Sequence, residues 1–425
     1  MITFTILLIQ LLLFFFLNTS TVIAANVFPG QNWLIKTPAE VGLSDVKLTE
    51  FSTRVGGTGV VIKDGYMVKT WGTATAHGGW ASASKPVIST LLFFAVQEGK
   101  IPNVDYQIKN LGWNLSSKDQ TLTFRHLGDM VSGYARGESP GAAWAYNDYA
   151  IKLYKLSLLE KVYGTSANNA AAVENLYIAA NRLGPLQFQD GNLFVTASGT
   201  VRVNMTPRDF ARIGWFWLNK GKWDTQQLLP QSYFDNYMKP GVSGSISRTS
   251  QGGNDYLGIG TDGGGSDQSA VGPGVYGFNW WFNAKKATGN EYLWPDAPLD
   301  TFSADGHFGK EVMVIIPSLN LVVAARGNWG NTFNLSGMNA SLKILKDSFT
   351  GVSASPLPTQ TNTQTPTPTQ KPGDADGDGK VDGLDYVVWL NHYNQQAAGS
   401  GNGDFNNSGK VDGLDYVIWL NNYNI

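Results

Sequence analysis

The stretch Trp80-Ala81-Ser82-Ala83-Ser84-Lys85 follows Gly78-Gly79 and runs into Val87-Ile88-Ser89-Thr90-Leu91-Leu92-Phe93-Phe94-Ala95-Val96. A glycine pair before a long apolar run predicts a loop entering a buried helix, with the serine and the lysine on its first turn. Residues three apart share a helix face, so the Lys85 amine is expected beside the Ser82 hydroxyl. A serine hydroxyl is a weak nucleophile until a neighbouring base takes its proton, and a desolvated lysine can be that base. The helix N-terminus adds amide donors and a positive dipole end for a developing oxyanion. The same spacing recurs at Ser44-Asp45-Val46-Lys47. No buried run follows it, and it reads as a helix start with a solvated lysine.

The 425 residues suffice for several domains, and 42% hydrophobic and 12% aromatic content supports a large core. A net charge of -2 with 15% charged residues gives no sign of nucleic-acid binding. There are no cysteines, which excludes disulfides, thiolate metal sites and cysteine nucleophiles. The run Ile6 to Leu17 is apolar apart from Gln10 and leads to Val22-Ile23-Ala24-Ala25. This reads as a secretory signal peptide over residues 1–25, although no basic residue precedes Lys36. An uncleaved anchor is the alternative, and the run is short for a span. The mature protein is expected to be exported.

Gly57 to Ile62 and Tyr66 to Trp71 are β-rich around Lys63-Asp64-Gly65, a hairpin signal. Residues 103–184 read as helices with loops, 191–203 as short strands, and Pro207 to Asn219 as a helix begun by Thr206. Glu311 to Ile316 and Leu321 to Arg326 form a second hairpin around Pro317-Ser318-Leu319-Asn320, and Leu335 to Phe349 a closing helix. An early hairpin, a helical middle and a late hairpin predict one antiparallel sheet built from both ends of the domain. Helices flank it and a helical subdomain is inserted, an α/β (α+β) class, with a cleft between the parts as the natural site. Gly263-Gly264-Gly265 lacks the Gly-Lys-Ser/Thr of a phosphate loop and reads as a flexible loop. Core packing is the expected role of most of Trp215, Trp217, Trp223, Trp280, Trp281 and Trp294. His77 and His126 are expected to be structural.

From about Val41 to Phe349 the chain resembles the serine β-lactamase-like superfamily, which holds class C β-lactamases, DD-peptidases, esterases and 6-aminohexanoate-oligomer hydrolases. Four stretches carry the likeness: Ser82-Ala83-Ser84-Lys85, Pro140-Gly141 through Tyr146-Asn147-Asp148, Met205-Thr206-Pro207-Arg208-Asp209 through Gly214, and Gly306-His307-Phe308-Gly309 leading to Pro317. The resemblance implies that Ser82 forms an acyl-enzyme while Lys85 and Tyr146 share the proton transfers. A free phenol has a pKa near 10, so a basic Tyr146 needs a nearby cation, which Lys85 would supply. The oxyanion hole would pair the Ser82 amide with one from the Gly306 segment. A Gly-x-x-Gly register favours the His307 amide, and a His-x-Gly register, with Gly309 as its glycine, favours that of Lys310. Asp148 stands where the family usually has Asn, which would hold Lys85 protonated and shift base duty to Tyr146. Phe308 stands where a Thr or Ser would bind a carboxylate. This disfavours β-lactam and D-peptide substrates and favours an ester or amide with an apolar acyl part. The rival readings are a DD-peptidase or β-lactamase acting on cell-wall peptides, and an inactive binding protein carried on a scaffold.

Residues 353–372 are rich in Ser, Thr, Gln and Pro and read as an extended linker between a hydrolase domain at 26–352 and a module at 373–425. That module repeats with period 30. Asp374, Asp376, Asp378, Lys380, Asp382 and Asp385 are echoed by Asp404, Asn406, Ser408, Lys410, Asp412 and Asp415. Oxygen side chains at loop positions 1, 3, 5, 9 and 12, a carbonyl at 7 and glycine at 6 form a calcium-loop pattern. The second loop has fewer charges and is expected to bind Ca²⁺ more weakly. Loop-helix pairs without an entering helix resemble a type I dockerin, which implies a cohesin-type scaffold partner. Gly383-Leu384 and Gly413-Leu414 at the partner-selecting positions imply a nearly two-fold symmetric surface.

Overall fold

The structure, a computed structural model, describes residues 26–268, 271–350, 371–376, 379–397, 399–406 and 408–423. The expected signal peptide, most of the expected linker, and Asp378 lie outside these residues. The chain divides into two compact units at Ser355 and Pro356.

In the first unit the helices are α1 (Asp45–Val55), α2 (Lys85–Gln97), α3 (Phe124–Gly128), α4 (Asp148–Leu156), α5 (Ala170–Tyr177), α6 (Pro207–Leu218), α7 (Gln231–Tyr237) and α8 (Met338–Lys346). The strands are β1 (Thr58–Lys63), β2 (Tyr66–Trp71), β3 (Phe194–Ala197), β4 (Thr200–Val203), β5 (Lys222–Trp223), β6 (Gln226–Gln227), β7 (Tyr276–Gly277), β8 (Trp280–Phe282), β9 (Phe302–Gly306), β10 (Glu311–Ile316) and β11 (Leu321–Arg326). Seven of the strands form an antiparallel sheet in the order β2-β1-β11-β10-β9-β8-β7. The two expected hairpins therefore meet edge to edge, Val61 opposite Val323 and Val314 opposite Val323 on the other side.

Local chemistry sets both turns. Asp64 and Gly65 have φ of 55° and 87°, the left-handed pair that a two-residue hairpin turn requires. Pro317–Leu319 forms one 3₁₀ turn ended by Asn320 in the left-handed region. Helix α6 starts at Thr206, whose hydroxyl accepts from the Asp209 amide, and packs on β11, β1 and β10. Its Gly214 is needed there, because a Cβ would lie 2.3 Å from Met313 Sδ. The closing helix begins at Met338 rather than Leu335, because Gly337 and Met338 turn back onto Asn334 and Asn331 through their amides. The helical insert lies between β2 and β7 in sequence, and its α4 continues directly into a π-helical turn at Ser157–Val162. The Ser44 copy of the Ser-x-x-Lys spacing is an N-cap, with Lys47 paired to Glu50 on the surface.

The second unit holds α9 (Gly383–His392) and α10 (Gly413–Asn422), each begun by an aspartate cap and a capping box. Its buried apolar residues are Ala375, Val381, Trp389, Phe405, Val411 and Trp419. The repeats lock reciprocally: the Trp389 indole donates to the Asp412 carbonyl at 3.0 Å and the Trp419 indole to the Asp382 carbonyl at 2.9 Å. Among the described residues no helix is long and apolar enough to cross a membrane.

Candidate active site and acidic loops

Ser82 sits on a short 3₁₀ turn, Ala81–Ser84, that runs into α2. Ala81 adopts φ 43°, a conformation that costs a side-chain-bearing residue free energy and that the surrounding packing must hold. Trp80 does so: it is fully buried, its indole donates to the Met205 carbonyl at 2.9 Å, and its ring lies 4.2 Å from that of Phe210. The Met205–Gly214 stretch thus anchors the turn from below. Its Arg212, also fully buried, donates to the carbonyls of Gly30, Gln31 and Leu186.

Lys85 is buried, and its ammonium has three acceptors: Ser82 Oγ at 2.6 Å, Tyr146 Oη at 2.9 Å and Asp148 Oδ1 at 2.7 Å. An ammonium carries three protons, so this set uses all of them. Asn147 caps α4 by accepting from the amides of Tyr149 and Ala150, which places Asp148 in the first turn and Tyr146 just outside it. There the helix dipole favours a carboxylate. Burial alone would raise the Asp148 pKa, but the Lys85 charge and hydrogen bond, Gln268 and the Gly264 amide outweigh it and hold it below the ordinary range.

Tyr146 has the expected ammonium beside it, Lys85 Nζ at 2.9 Å from its hydroxyl. Burial first, and then the Asp148 charge, push its pKa up despite the Ser82 hydroxyl, so the neighbouring ammonium does not make it a phenolate. The Asp148–Lys85 pair that the family likeness implies is present at 2.7 Å, and the same carboxylate acts on the phenol. The ring stacks on Trp281 with centroids 5.9 Å apart. All six of the tryptophans considered from the sequence are buried, Trp281 as the backing of this tyrosine.

Strand β9 lies against the serine turn, and a Cβ on Gly306 would meet the Trp80 carbonyl at 2.8 Å. The Gly309 amide donates to Asp305 Oδ1 at 2.9 Å and to the Gly306 carbonyl, and the Lys310 amide donates to the same carbonyl at 3.0 Å. Both amides are therefore spent inside the turn. His307 and Phe308, at φ 44° and 56°, form its exposed tip, and the His307 ring meets Glu311 Oε2 at 2.9 Å. The Ser82 amide precedes the first bond of its own turn, Ala83 N–H to Trp80 C=O.

Two hollows meet at Ser82. A small cleft of about 70 Å³ is lined by Tyr146, Gln268, Asp305, His307, Phe308 and Phe333. A cavity of about 450 Å³ opens on the other side, past Lys85 and Asp148. Asp305 is a site residue the sequence did not reveal. Burial drives its carboxyl pKa well up, and Thr332 and the Gly309 amide hold it. His77 and His126 are outside both hollows: the first meets the Gly191 carbonyl and the second closes the capping box of α3.

In the second unit Asp374, Asp376 and Asp385 each bring a carboxylate oxygen within 4.8 Å of the others, a group that can hold a metal ion. An all-oxygen donor set of this kind fits a hard cation such as Ca²⁺. Asp385 accepts from the amides of Ala375 and Asp382 at 2.7 Å, and Asp415 from those of Asn406 and Asp412. Gly379 and Gly409 donate to Asp374 and Asp404 respectively. Asp382 and Asp412 also cap their helices, accepting from Leu384 and Leu414. In the second loop the Lys410 carbonyl accepts from Ser408 Oγ at 3.0 Å.

Residues 372–423 match the dockerin type I domain family. No curated protein matches the chain. Among solved structures it is similar to a penicillin-binding protein homologue from Caulobacter crescentus, at TM-score 0.50 and 11% identity over 75% of this chain and 99% of that one. It is also similar to a β-lactamase from Mycobacterium bovis (TM-score 0.46, 17% identity, 71% of this chain and 97% of that one). A third is EstCE1, a hydrolase with promiscuous acyltransferase activity (TM-score 0.45, 13% identity, 72% and 98%). The Caulobacter likeness is one of fold: an antiparallel sheet flanked by helices.

Proposed function

We propose that the first unit is an exported serine hydrolase that forms an acyl-enzyme on Ser82 and cleaves an ester or amide. It is tethered through a calcium-binding, dockerin-like second unit to a cohesin-type scaffold. The single observation that carries the enzymatic reading is the buried Lys85 ammonium shared by Ser82, Tyr146 and Asp148.

With its three protons engaged, Lys85 is a poor acceptor for the serine proton, and Tyr146 is a neutral phenol. The reading that fits both is a relay. As Ser82 Oγ bonds to the carbonyl carbon, its proton passes to Tyr146 Oη, while the phenolic proton passes to the leaving oxygen or nitrogen. The tyrosine ends as it began, and Lys85 stabilises the negative charge that builds between the two oxygens. Water in place of the leaving group reverses the relay and frees Ser82. The Ser82 and His307 amides are assigned to the oxyanion, since those of Gly309 and Lys310 are spent. In the second unit bound calcium would supply the charge that draws each loop closed. Its ligands would be Asp374, Asp376, Asp378, Asp382 and Asp385 with the Lys380 carbonyl, and the six corresponding residues of the second loop.

The test is incubation of the wild type and Ser82→Ala with a fluorophosphonate probe, short-chain nitrophenyl esters and a chromogenic cephalosporin. Labelling and ester turnover that vanish with Ser82 are expected. A wild type that neither labels nor turns over any substrate would sink the enzyme claim and favour a scaffold-borne binding protein. Cephalosporin turnover would show that the Phe308 tip does not exclude β-lactams.

A further inference from the structure

The larger cavity runs from Ser82 between α2, α4, α5 and the β3-β4 hairpin, and Val87, Ile151, Leu159, Val173, Phe194 and Val203 make its inner wall. Its volume of about 450 Å³ is that of a small-molecule site. Charged residues also line it, Lys155, Arg202, Asp262 and Glu311 besides Lys85 and Asp148. The Lys155 ammonium donates to Thr200 Oγ1 at 2.5 Å and to Asp262, and Asp262 also pairs with Lys152. Arg202 donates to the Asp262 carbonyl at 3.0 Å and Glu311 meets the His307 ring at 2.9 Å, so these charged groups of the wall have partners within the protein.

Which part of a substrate belongs there follows from the relay. The group that protonates the leaving atom must stand on the leaving-group side. Tyr146 lines the small cleft with Phe308 and Phe333, and does not line the large cavity. The carbonyl carbon at Ser82 therefore has its leaving group toward the cleft and its acyl substituent toward the cavity.

We propose that this cavity is the acyl-chain site and that the substrates carry an extended, unbranched, apolar acyl group. The inference rests on the serine-hydrolase reading above and deepens it.

The experiment uses the full chain and nitrophenyl acetate, butanoate, hexanoate and octanoate. Burial of each added methylene should raise kcat/KM about threefold until the cavity is filled. Lengthening the alcohol part of an acetate ester instead should leave kcat/KM nearly flat. Val203→Trp narrows the cavity and should lower the octanoate-to-acetate ratio at least tenfold. Phe194→Ala widens it and should shift the preference to longer chains. Calorimetry of octanamide and acetamide with Ser82→Ala reads the cavity without turnover, and octanamide should bind at least tenfold tighter. A flat acyl series, a preference that follows the alcohol instead, or equal amide affinities would overturn the acyl site. Ester turnover that survives Ser82→Ala would overturn the hydrolase reading, and the amide affinities would still decide the cavity.

Discussion

In the first unit Asp148 is 4% exposed and faces an ammonium 2.7 Å away. In the second unit Asp374 and Asp385, each 1% exposed, face the amides of Gly379, Ala375 and Asp382 and one another's carboxylates. Amides are dipoles: they orient a buried carboxylate but do not cancel its charge, as a lysine or a divalent cation does. The first unit carries the counter-charge of Asp148 in its own sequence, whereas the second gathers Asp374, Asp376 and Asp385 where a hard cation could sit. Core size sharpens the contrast. One unit wraps its site in layers of buried strands and helices, whereas the other is held, among the described residues, by six buried apolar ones.

The sharpest way to separate the two units is Ser82→Ala. Ester turnover should drop by at least about a thousandfold, while calcium binding, read by calorimetry, stays as in the wild type. Chelation is the converse. Removing calcium should lower the melting temperature of the second unit by about 10 °C or more, with ester turnover unaltered. A first unit that also melts on chelation would break the comparison.

Acid tests the Lys85–Asp148 pair. A carboxyl held below its ordinary pKa stabilises the fold fully above about pH 4, and that contribution is lost as the pH falls through the folded value. Thermal melts from pH 7 to pH 3 should show this loss in the wild type, and a smaller one in Asp148→Asn. That variant should keep turnover within about tenfold, since its amide oxygen can still accept from Lys85. The smallest effect is expected at the surface of the second unit. Leu384 and Leu414, 63% and 66% exposed, lead matching apolar stripes on the two repeats. Leu384→Asp alone should weaken capture of a cohesin module only about twofold, and the double change should abolish it.

Strands and turns were legible where local chemistry decides them, as at Asp64-Gly65 and in the alternate copies of the acidic loop. The nearness of Ser82 to Lys85 was legible because both lie on one turn. That Tyr146 joins them from 61 positions away needed the family likeness, since no periodicity links the two segments. Asp305 stayed hidden because it sits in an ordinary strand pattern, and only the order of the sheet brings β9 to the serine. The choice between His307 and Lys310 was also closed to the sequence. Glycine spacing marks a tight turn without saying which amides the turn itself consumes. The up-shifted Tyr146 pKa required knowing that Asp148 and burial act on the same phenol.

The crossed indoles of Trp389 and Trp419 tie the rim of each acidic loop to the opposite helix. Cut between the repeats, each fragment has an indole without its acceptor and a loop without its brace. Such a fragment is not a half-strength module, so a gene that lost one repeat would lose the whole domain. By the same linkage, an ion that stiffened one loop would also steady the helix that braces the other, so loading of the two loops is expected to be coupled.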